Sequence, residues 1–221
     1  MISIAIDGPA GAGKSTVARG VAGRLGYIYV DTGALYRAVG LQFSRMGYNT
    51  ELNCNIAEVL KSVNVDIAFV GDVQHVFLNG EDVSEEIRTP VASMMASAVS
   101  AKPEVREFLL EMQRKLAREN NVIMDGRDIG TVVLPNAQIK IFLTASNEER
   151  AMRRFKELSE KGKTVTYEEV LEDMLKRDYN DSHRAIAPLK PAEDSVVVDT
   201  TGNTLEDSVE LLYGIIKEKL A

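Results

Sequence analysis

The sequence predicts an α/β fold with a mainly parallel sheet covered by helices. Five short apolar runs of strand length are separated by segments with helical periodicity, which is the order of elements in repeated βα units. A further segment alternates strictly between apolar residues and polar or small ones, and tight turns follow it. That pattern is typical of antiparallel strands with one solvated face. We therefore expect a small antiparallel β insertion within an otherwise parallel α/β chain.

These patterns place the elements along the chain. The predicted strands of the parallel sheet are Ile2–Ile6, Tyr27–Val30, Val122–Asp125, Gln138–Leu143 and Ser195–Asp199. Helical patterns follow most of them, at Lys14–Leu25, Gly33–Met46, Pro103–Glu119, Asn147–Glu160 and Thr204–Leu220. The insertion contains the alternating run Val63–Phe69 and a turn at Asn79 and Gly80. A densely charged segment from about Phe155 to Arg184, interrupted by EKGKTVT, is expected to form a helix–loop–helix that acts as a mobile lid.

Composition limits the classes of function. The chain has 221 residues, and 45% of them are hydrophobic and 27% charged, as in a soluble globular protein of one α/β domain with or without insertions. Its 33 acidic residues against 26 basic ones give a net charge of −7, which argues against general nucleic-acid binding. The single cysteine, Cys54, rules out a disulfide framework and a cysteine-based zinc site. With no signal sequence and no apolar run of membrane-spanning length, we expect a cytoplasmic protein without membrane association.

The stretch GPAGAGKS matches the phosphate-binding pattern G-x-x-x-x-G-K-[ST] in full, between a predicted strand and a predicted helix. Its glycines let consecutive backbone N–H groups curl around phosphates at the positive end of a helix. Lys14 is expected to reach the β and γ phosphates, and the Ser15 hydroxyl to occupy a Mg²⁺ position. The predicted ATP-binding residues here are Gly8, Pro9, Ala10, Gly11, Ala12, Gly13, Lys14, Ser15 and Thr16.

The use of the nucleotide follows from what accompanies this loop. The sequence contains no Asn-Lys pair, so the N-K-x-D reader of guanine in GTPases is missing. The strand ending VIMDGRD has glycine where an ATPase would carry a glutamate that polarises water. A kinase for a small molecule is therefore favoured. A regulatory module that closes on nucleotide without turnover, an ATPase acting on a protein partner, and a sugar-acid or shikimate kinase remain alternatives.

Arginines in four clusters favour an acceptor that carries a phosphate, because guanidinium groups match phosphate oxygens in bidentate geometry. The clusters contain Thr32 and Arg37; Ser97 and Arg106; Arg127 and Asp128; and Arg177, Asp181 and Arg184. Open α/β sheets bind ligands beyond the carboxyl ends of their strands, and Gly8, Thr32 and Arg127 each follow such an end. We expect Arg127 to face the acceptor phosphate and Asp128 to accept a hydrogen bond from a base.

The segments IDGPAGAGKST, DTGALYR, DGRDIGTVV and RDYNDSHRAIAPL, in this order and spacing, closely resemble bacterial cytidylate kinases, the CMP/dCMP branch of the nucleoside monophosphate kinases. The resemblance runs end to end and includes the β insertion, which the eukaryotic UMP/CMP enzymes lack. It implies a P-loop kinase fold, in which a central five-stranded parallel sheet is flanked by helices, with the β insertion in the acceptor-binding region and a helical lid. It also implies ATP-dependent phosphorylation of CMP and dCMP by a monomer, with a core at about 1–35, 100–150 and 185–221, an NMP-binding region at about 36–99 and a lid at about 151–184.

The resemblance also implies roles for individual residues. Arg37 and Arg127 would grip the acceptor phosphate, and Arg184 would reach the transferring group, so that Lys14, Arg127 and Arg184 are the expected catalytic residues. Arg177 and Asp181 would contact the sugar hydroxyls, and Thr32 stands where the family often has serine. The residues expected to read cytosine are Ser97, Arg106 and Asp128.

This base assignment is chemically consistent. The Asp128 carboxylate can accept from the amino group of cytosine, while Arg106 and Ser97 can donate to its ring nitrogen and carbonyl. Uracil would instead place a carbonyl against the carboxylate, which disfavours UMP.

Two further expectations concern the ATP side. Asp125, which ends its strand beside the phosphate loop, is expected to hold a Mg²⁺-bound water. Arg150, Arg153 and Arg154 share a helical face leading into the lid. They either form a solvated face paired with glutamates of the same helix, or lid closure brings one or two of them to the ATP phosphates, for which Arg153 is the candidate.

Overall fold

The computed structural model describes residues 1–160 and 162–221, and it contains two sheets. The strands are β1 (Ser3–Asp7), β2 (Ile28–Asp31), β3 (Val65–Val70), β4 (Val73–Leu78), β5 (Glu81–Asp82), β6 (Val122–Gly126), β7 (Ile139–Thr144) and β8 (Val196–Asp199). Five of them form a parallel sheet in the order β2–β6–β1–β7–β8. The other three form an antiparallel sheet in the order β3–β4–β5. The predicted five-stranded parallel sheet and the antiparallel insertion are therefore confirmed.

The helices cover the parallel sheet and complete the insertion. They are α1 (Lys14–Leu25), α2 (Thr32–Arg45), α3 (Ile56–Leu60), α4 (Pro90–Ser100), α5 (Pro103–Glu119), α6 (Asn147–Glu160), α7 (Tyr167–His183) and α8 (Leu205–Leu220). A 3₁₀ turn at Glu86–Arg88 and a π-helical turn at Ile129–Val133 are added to these. Lys161, which belongs to the predicted lid and to its EKGKTVT interruption, lies outside the described residues.

Side-chain caps fix the starts of the helices that border the site. Asp31 caps α2 by accepting from the backbone N–H of Ala34 at 3.0 Å. Thr166 begins α7 with a capping box, in which Glu169 reaches back to the Thr166 backbone. Such caps satisfy N–H groups that have no partner within the helix, so the sequence itself sets where each helix begins.

The insertion packs on the parallel sheet through its apolar face. Ile67 and Phe69 of β3 lie against a buried cluster that includes Val30 of β2 and Met124 of β6. Gly40 of α2 lies so close to α4 that a Cβ there would come within 2.9 Å of the Met95 Cβ. The insertion is therefore seated beside β2, next to the carboxyl end of that strand.

None of the helices described is long and apolar enough to cross a membrane.

Candidate active site

The carboxyl ends of the parallel strands bring the predicted clusters to one edge of the sheet. Asp7 ends β1, Asp31 ends β2 and Gly126 ends β6, and these three strands are neighbours in the sheet. The phosphate loop, the DTGALYR segment and the GRD segment follow them directly. The sheet topology thus explains why segments distant in sequence share one site.

The phosphate loop needs glycine at specific points. Gly8 has a φ of 152°, and a Cβ there would lie 2.0 Å from the backbone oxygen of Leu143. Gly13, with a φ of 79°, precedes α1. The backbone can take this course only without side chains at these positions, because L residues rarely adopt such φ values. The loop then presents its N–H groups at the start of α1, where anions bind.

Lys14 lies buried at the base of this loop. Its Nζ donates to the Pro9 carbonyl at 2.7 Å. Burial, followed by the charges of Arg127 and Arg177, lowers the pKa of Lys14 from its usual range. A phosphate group beside it would favour its charged form, so the lysine is placed to respond to a nucleotide.

The Asp125 carboxylate is held by two hydroxyl groups. Ser15 Oγ donates to Oδ2 at 2.7 Å, and the Tyr29 hydroxyl donates to Oδ1 at 3.0 Å. Burial, with the charge of Asp31 next in size, raises the pKa of Asp125 above its usual value. The backbone carbonyl of the same residue accepts from Thr32 Oγ1 at 2.7 Å, so the hydroxyl of Thr32 faces β6.

The Ser15 and Asp125 oxygens suit Mg²⁺, a hard cation that prefers oxygen ligands. Within residues 1–160 and 162–221, no group of three or more His, Cys, Asp and Glu side chains forms a metal cage. A site with few protein ligands is what Mg²⁺ uses when phosphates and water complete its shell. The donor set therefore fits a nucleotide-bound Mg²⁺.

Arg37 is fixed by a carboxylate at the end of β2. Its Nη2 donates to Asp31 Oδ2 at 2.6 Å. Among the described residues, no partner accepts from the buried Nε of Arg37. Because a buried guanidinium donor is costly without a partner, this atom is open to a ligand.

Arg127 and Asp181 form the first of two ion pairs between β6 and α7. Arg127 Nε donates to Asp181 Oδ2 at 2.9 Å. Burial would raise the pKa of Asp181, but the positive charges of Arg127, Arg177 and Arg184 outweigh it and lower that pKa below its usual value. Within the described part of the chain, the buried Nε of Arg177 also has no acceptor.

The second ion pair joins Asp128 to Arg184, and Asp128 also pairs with Arg106. Arg106 donates to its Oδ2, and Arg184 Nη2 donates to its Oδ1 at 3.2 Å. Arg106 also donates to the Ser100 carbonyl at 3.1 Å and lies 5.6 Å from the centre of the Tyr36 ring. Ser97 lies one helical turn before Ser100 on α4. Each carboxylate oxygen has a second lone pair, so Asp128 can still accept from a ligand.

The three arginines of α6 differ in surroundings. Arg154 pairs with Glu157 at 2.7 Å. Arg153 pairs with Glu149 and donates to the Thr200 carbonyl at 2.9 Å. A Cβ on Gly13 would lie 3.8 Å from Arg153 Nη1, so this arginine lies beside the phosphate loop.

The solvated-face interpretation is wrong for Arg150. Only 4% of this residue is exposed, and its Nη1 donates to the Ala10 carbonyl at 2.7 Å and to Asp178 Oδ2 at 2.5 Å. The periodicity of α6 could not indicate this, because α7 supplies the cover.

Several residues of this site were not predicted. Asp178 accepts from the Ala10 N–H at 3.0 Å, and Asp7 accepts from the N–H groups of Ile129 and Gly130, both at 2.7 Å. Asp178 lies within the segment RDYNDSHRAIAPL and Asp7 within IDGPAGAGKST, so membership of these segments was the available signal. The residues missed are Asp7, Tyr29, Asp31, Tyr36, Gln74 and Asp178.

Comparison with known proteins shows the family of the chain. The model of the family described as cytidylate kinase matches residues 4–218. The chain belongs to the cytidylate kinase family. Two curated cytidylate kinases are similar over almost their whole lengths. That of Caldicellulosiruptor bescii is 52% identical over 99% of this chain and 99% of its own, and that of Caldanaerobacter subterraneus subsp. tengcongensis is 54% identical over 98% and 95%.

More distant comparisons extend the same result. The cytidylate kinase of Geobacter sp. (strain M21) is 47% identical over 100% of this chain and 94% of its own. Among solved structures, an uncharacterized protein from Eubacterium ventriosum is similar with a TM-score of 0.55 and 14% identity, over 98% of both chains. At that identity the likeness concerns the fold alone.

Proposed function

We propose that this chain transfers the γ-phosphoryl group of ATP to CMP and dCMP, giving CDP and dCDP. One observation carries the residue assignment: α7 pairs Asp181 with Arg127 and Arg184 with Asp128, both at the end of β6. The charges of Arg127 and Arg177 also act on Lys14 of the phosphate loop. This proximity of the phosphate loop to Arg127 and Arg177 supports a transfer between two nucleotides, which requires donor and acceptor groups at one place.

The phosphate loop would hold the donor. Its backbone N–H groups from Gly8 to Thr16 would bind the ATP phosphates, and Lys14 would exchange the Pro9 carbonyl for phosphate oxygens. Arg153 would approach the same phosphates from α6. It lies beside Gly13 and is held by Glu149 and Thr200, so it needs little movement.

Three arginines would hold the acceptor phosphate in line with the donor. Arg37 offers an Nε for which no described residue is a partner, and Arg127 is oriented by Asp181. Arg184, which already donates to Asp128, would reach the transferring group. Positive charge placed where negative charge accumulates lowers the barrier without any proton transfer, because the acceptor phosphate is already ionised.

The sugar and the cytosine base of the acceptor would be bound next to the arginines that hold its phosphate. Arg177 and Asp181 would contact the sugar hydroxyls, and this is supported by the buried Nε of Arg177, which has no acceptor among the described residues. Asp128, held between Arg106 and Arg184, would accept from the cytosine amino group. Arg106 and Ser97 would donate to the ring nitrogen and carbonyl, whereas uracil would meet a repulsive carboxylate.

Ser15 and Asp125 would hold Mg²⁺, Asp125 through a water molecule, and Thr32 would fix Asp125 through its backbone carbonyl. When bound, the ion neutralises phosphate charge. The contribution of the chain is to present both oxygens 2.7 Å apart, with Ser15 at the start of α1 and Asp125 buried in β6.

Closure of α6 and α7 over the site would exclude water, which otherwise competes as the acceptor. This role assigns about 151–184 to the lid, about 36–99 to the NMP-binding region, and about 1–35, 100–150 and 185–221 to the core. We propose that the enzyme acts as a monomer in the cytoplasm, with ATP and the monophosphate as its only partners.

The test is ADP release from ATP and Mg²⁺ with CMP, dCMP, UMP, AMP, GMP or shikimate supplied in turn. Strong turnover with CMP and dCMP and little with UMP is the expected result. Equal turnover with UMP would leave phosphoryl transfer intact but overturn the base assignment. ADP release that is independent of every acceptor would favour an ATPase, and no release at all would favour a binding module.

A further inference from the structure

Gln74 is a polar residue on the apolar face of the β insertion. Alternate residues of a strand share a face, so Gln74 faces the same way as Val76 and Leu78, which are both buried. Its cross-strand partner on β3 is Phe69, which packs against the core of the parallel sheet. An amide on such a face is unfavourable unless its polar atoms are hydrogen-bonded.

Both polar atoms of this amide bond to the backbone of one residue of the parallel sheet. Gln74 Oε1 accepts from the Asp31 N–H at 2.8 Å, and its Nε2 donates to the Asp31 carbonyl at 3.2 Å. Asp31 ends β2, which is an edge strand of the sheet. Edge strands present backbone groups that lack a neighbouring strand. The side-chain amide of Gln74 therefore makes the two hydrogen bonds to the Asp31 backbone that a neighbouring strand would otherwise make.

Asp31 in turn positions Arg37. One carboxylate oxygen of Asp31 accepts from the Ala34 N–H at 3.0 Å and the other from Arg37 Nη2 at 2.6 Å. Gly33 leaves room for this pair, since a Cβ there would lie 3.1 Å from Asp31 Oδ1 and 3.2 Å from Arg37 Nη1. The backbone of Asp31 is thus held on one side by the insertion, and its carboxylate holds an arginine on the other.

We propose that Gln74 is a positioning residue for the acceptor phosphate, which acts by fixing Asp31 and, through it, Arg37. This inference rests on the proposed role of Arg37 as a phosphate grip. On this inference, the β insertion contributes to the reaction by setting the position of Arg37 in the acceptor site. A misplaced group at a reacting centre costs rate and affinity even when the change lies away from that centre.

The test compares Gln74→Met with the wild-type chain. Methionine has a similar length but makes neither hydrogen bond. Val73→Thr, at an exposed neighbouring position, is the matched control. Binding of CMP, cytidine and ADP is measured for each, together with thermal unfolding. We expect Gln74→Met to bind CMP about tenfold more loosely, with less than about twofold change for cytidine and ADP, because only the phosphate contact is disturbed.

A second variant keeps the test informative if Gln74→Met does not fold. Gln74→Glu can still accept from the Asp31 N–H, but it cannot donate to the Asp31 carbonyl and it adds a negative charge next to Asp31. It should lose CMP affinity at least as strongly, again without loss for cytidine. In an Arg37→Met background, Gln74→Met should cause no further loss.

The outcomes separate the two proposals. If Arg37→Met weakens CMP binding and the Gln74 variants do not, the positioning role is overturned and the phosphate grip stands. Equal losses for cytidine and CMP would also overturn it, because they would reveal general damage to the site. If Arg37→Met itself binds CMP like the wild type, the grip is wrong and the inference fails with it.

Discussion

Asp178 of α7 accepts a hydrogen bond of 2.5 Å from Arg150 of α6, and both residues bind the backbone of Ala10. Arg150 donates to the Ala10 carbonyl, and Asp178 accepts from the Ala10 N–H. Helix α7 is therefore tied directly to the phosphate loop. Asp181 follows Asp178 by about one turn and pairs with Arg127, so the same stretch of α7 also contacts the segment after β6.

Asp178→Asn tests this tie. The amide can still accept from Ala10, but its NH₂ group cannot pair with Arg150, which is 4% exposed. Leaving a buried charge unpaired costs about 3 kcal/mol of unfolding free energy. We expect that loss of unfolding free energy, measured by urea denaturation. We also expect the KM for ATP to rise above its wild-type value by a larger factor than the KM for CMP does. Asp173→Asn, at an exposed position of the same helix, is the control and should change neither quantity.

Arg127→Ala should cut turnover by about a hundredfold or more, because the variant loses a charged group that is proposed to stabilise the transferring phosphate. It also leaves Asp181 without its 2.9 Å partner, so kcat and unfolding free energy are measured together. Arg88→Ala, in the exposed part of the insertion, is the control. Wild-type kcat in a folded Arg127→Ala enzyme would refute the proposed division between phosphate grip and base reading.

Asp128→Asn should reduce the preference of the enzyme for CMP over UMP. An amide can rotate to donate to the uracil carbonyl, so the ratio of kcat/KM for CMP over UMP should fall by about tenfold or more, equivalent to about 1.4 kcal/mol. The ratio is the quantity to measure, since any general loss from disturbing Arg106 and Arg184 affects both substrates alike. An unchanged ratio would remove Asp128 from the base-reading set.

Asp7 links the phosphate loop to the GRD segment and makes stability depend on pH. Burial, partly offset by hydrogen bonds from Gly130 and Ile129, raises the pKa of Asp7 from 3.8 to about 6. A folded-state pKa above the unfolded value means that the folded state binds the proton more tightly. This contribution to stability is therefore complete below about pH 3.8 and is lost as the pH rises to about 6, for a change of about 3 kcal/mol.

Asp7→Asn removes this titration. The amide resembles the protonated carboxyl, since each has one carbonyl acceptor for the two N–H groups, so the variant and the wild type should have similar unfolding free energies at acid pH. Between about pH 4 and about pH 6.5 the wild type should lose about 2 kcal/mol of unfolding free energy relative to the variant. Parallel curves over this range would show that Asp7 does not titrate there.

The sequence was sufficient for the sheet and for the loop that binds phosphate. The runs that became β1, β6 and β7 are mostly apolar because most of their residues are buried, so their positions were predicted to within a residue or so. Lys14 and Ser15 were found because a local pattern of glycines and one basic residue is enough to define the loop.

The sequence was insufficient where two distant segments act on each other. The burial of Arg150 depends on α7, which begins seventeen residues later at Tyr167, and no periodicity within α6 indicates it. Gln74 interrupts an apolar alternation, but its bonds to Asp31 arise only when the insertion docks on β2. Helix α4 was not predicted, because its small and apolar residues have no clear one-sided pattern.

The central claim is that the γ-phosphoryl group passes from ATP to a cytidine monophosphate and not to water. The most direct test is ³¹P NMR of the wild-type enzyme with ATP, Mg²⁺ and CMP, which follows where the phosphorus goes. The account predicts that the signal lost from the γ position of ATP appears as the β-phosphate of CDP, with little inorganic phosphate, and that UMP in place of CMP gives far less product. Inorganic phosphate formed at a rate that ignores CMP, without CDP, would contradict it.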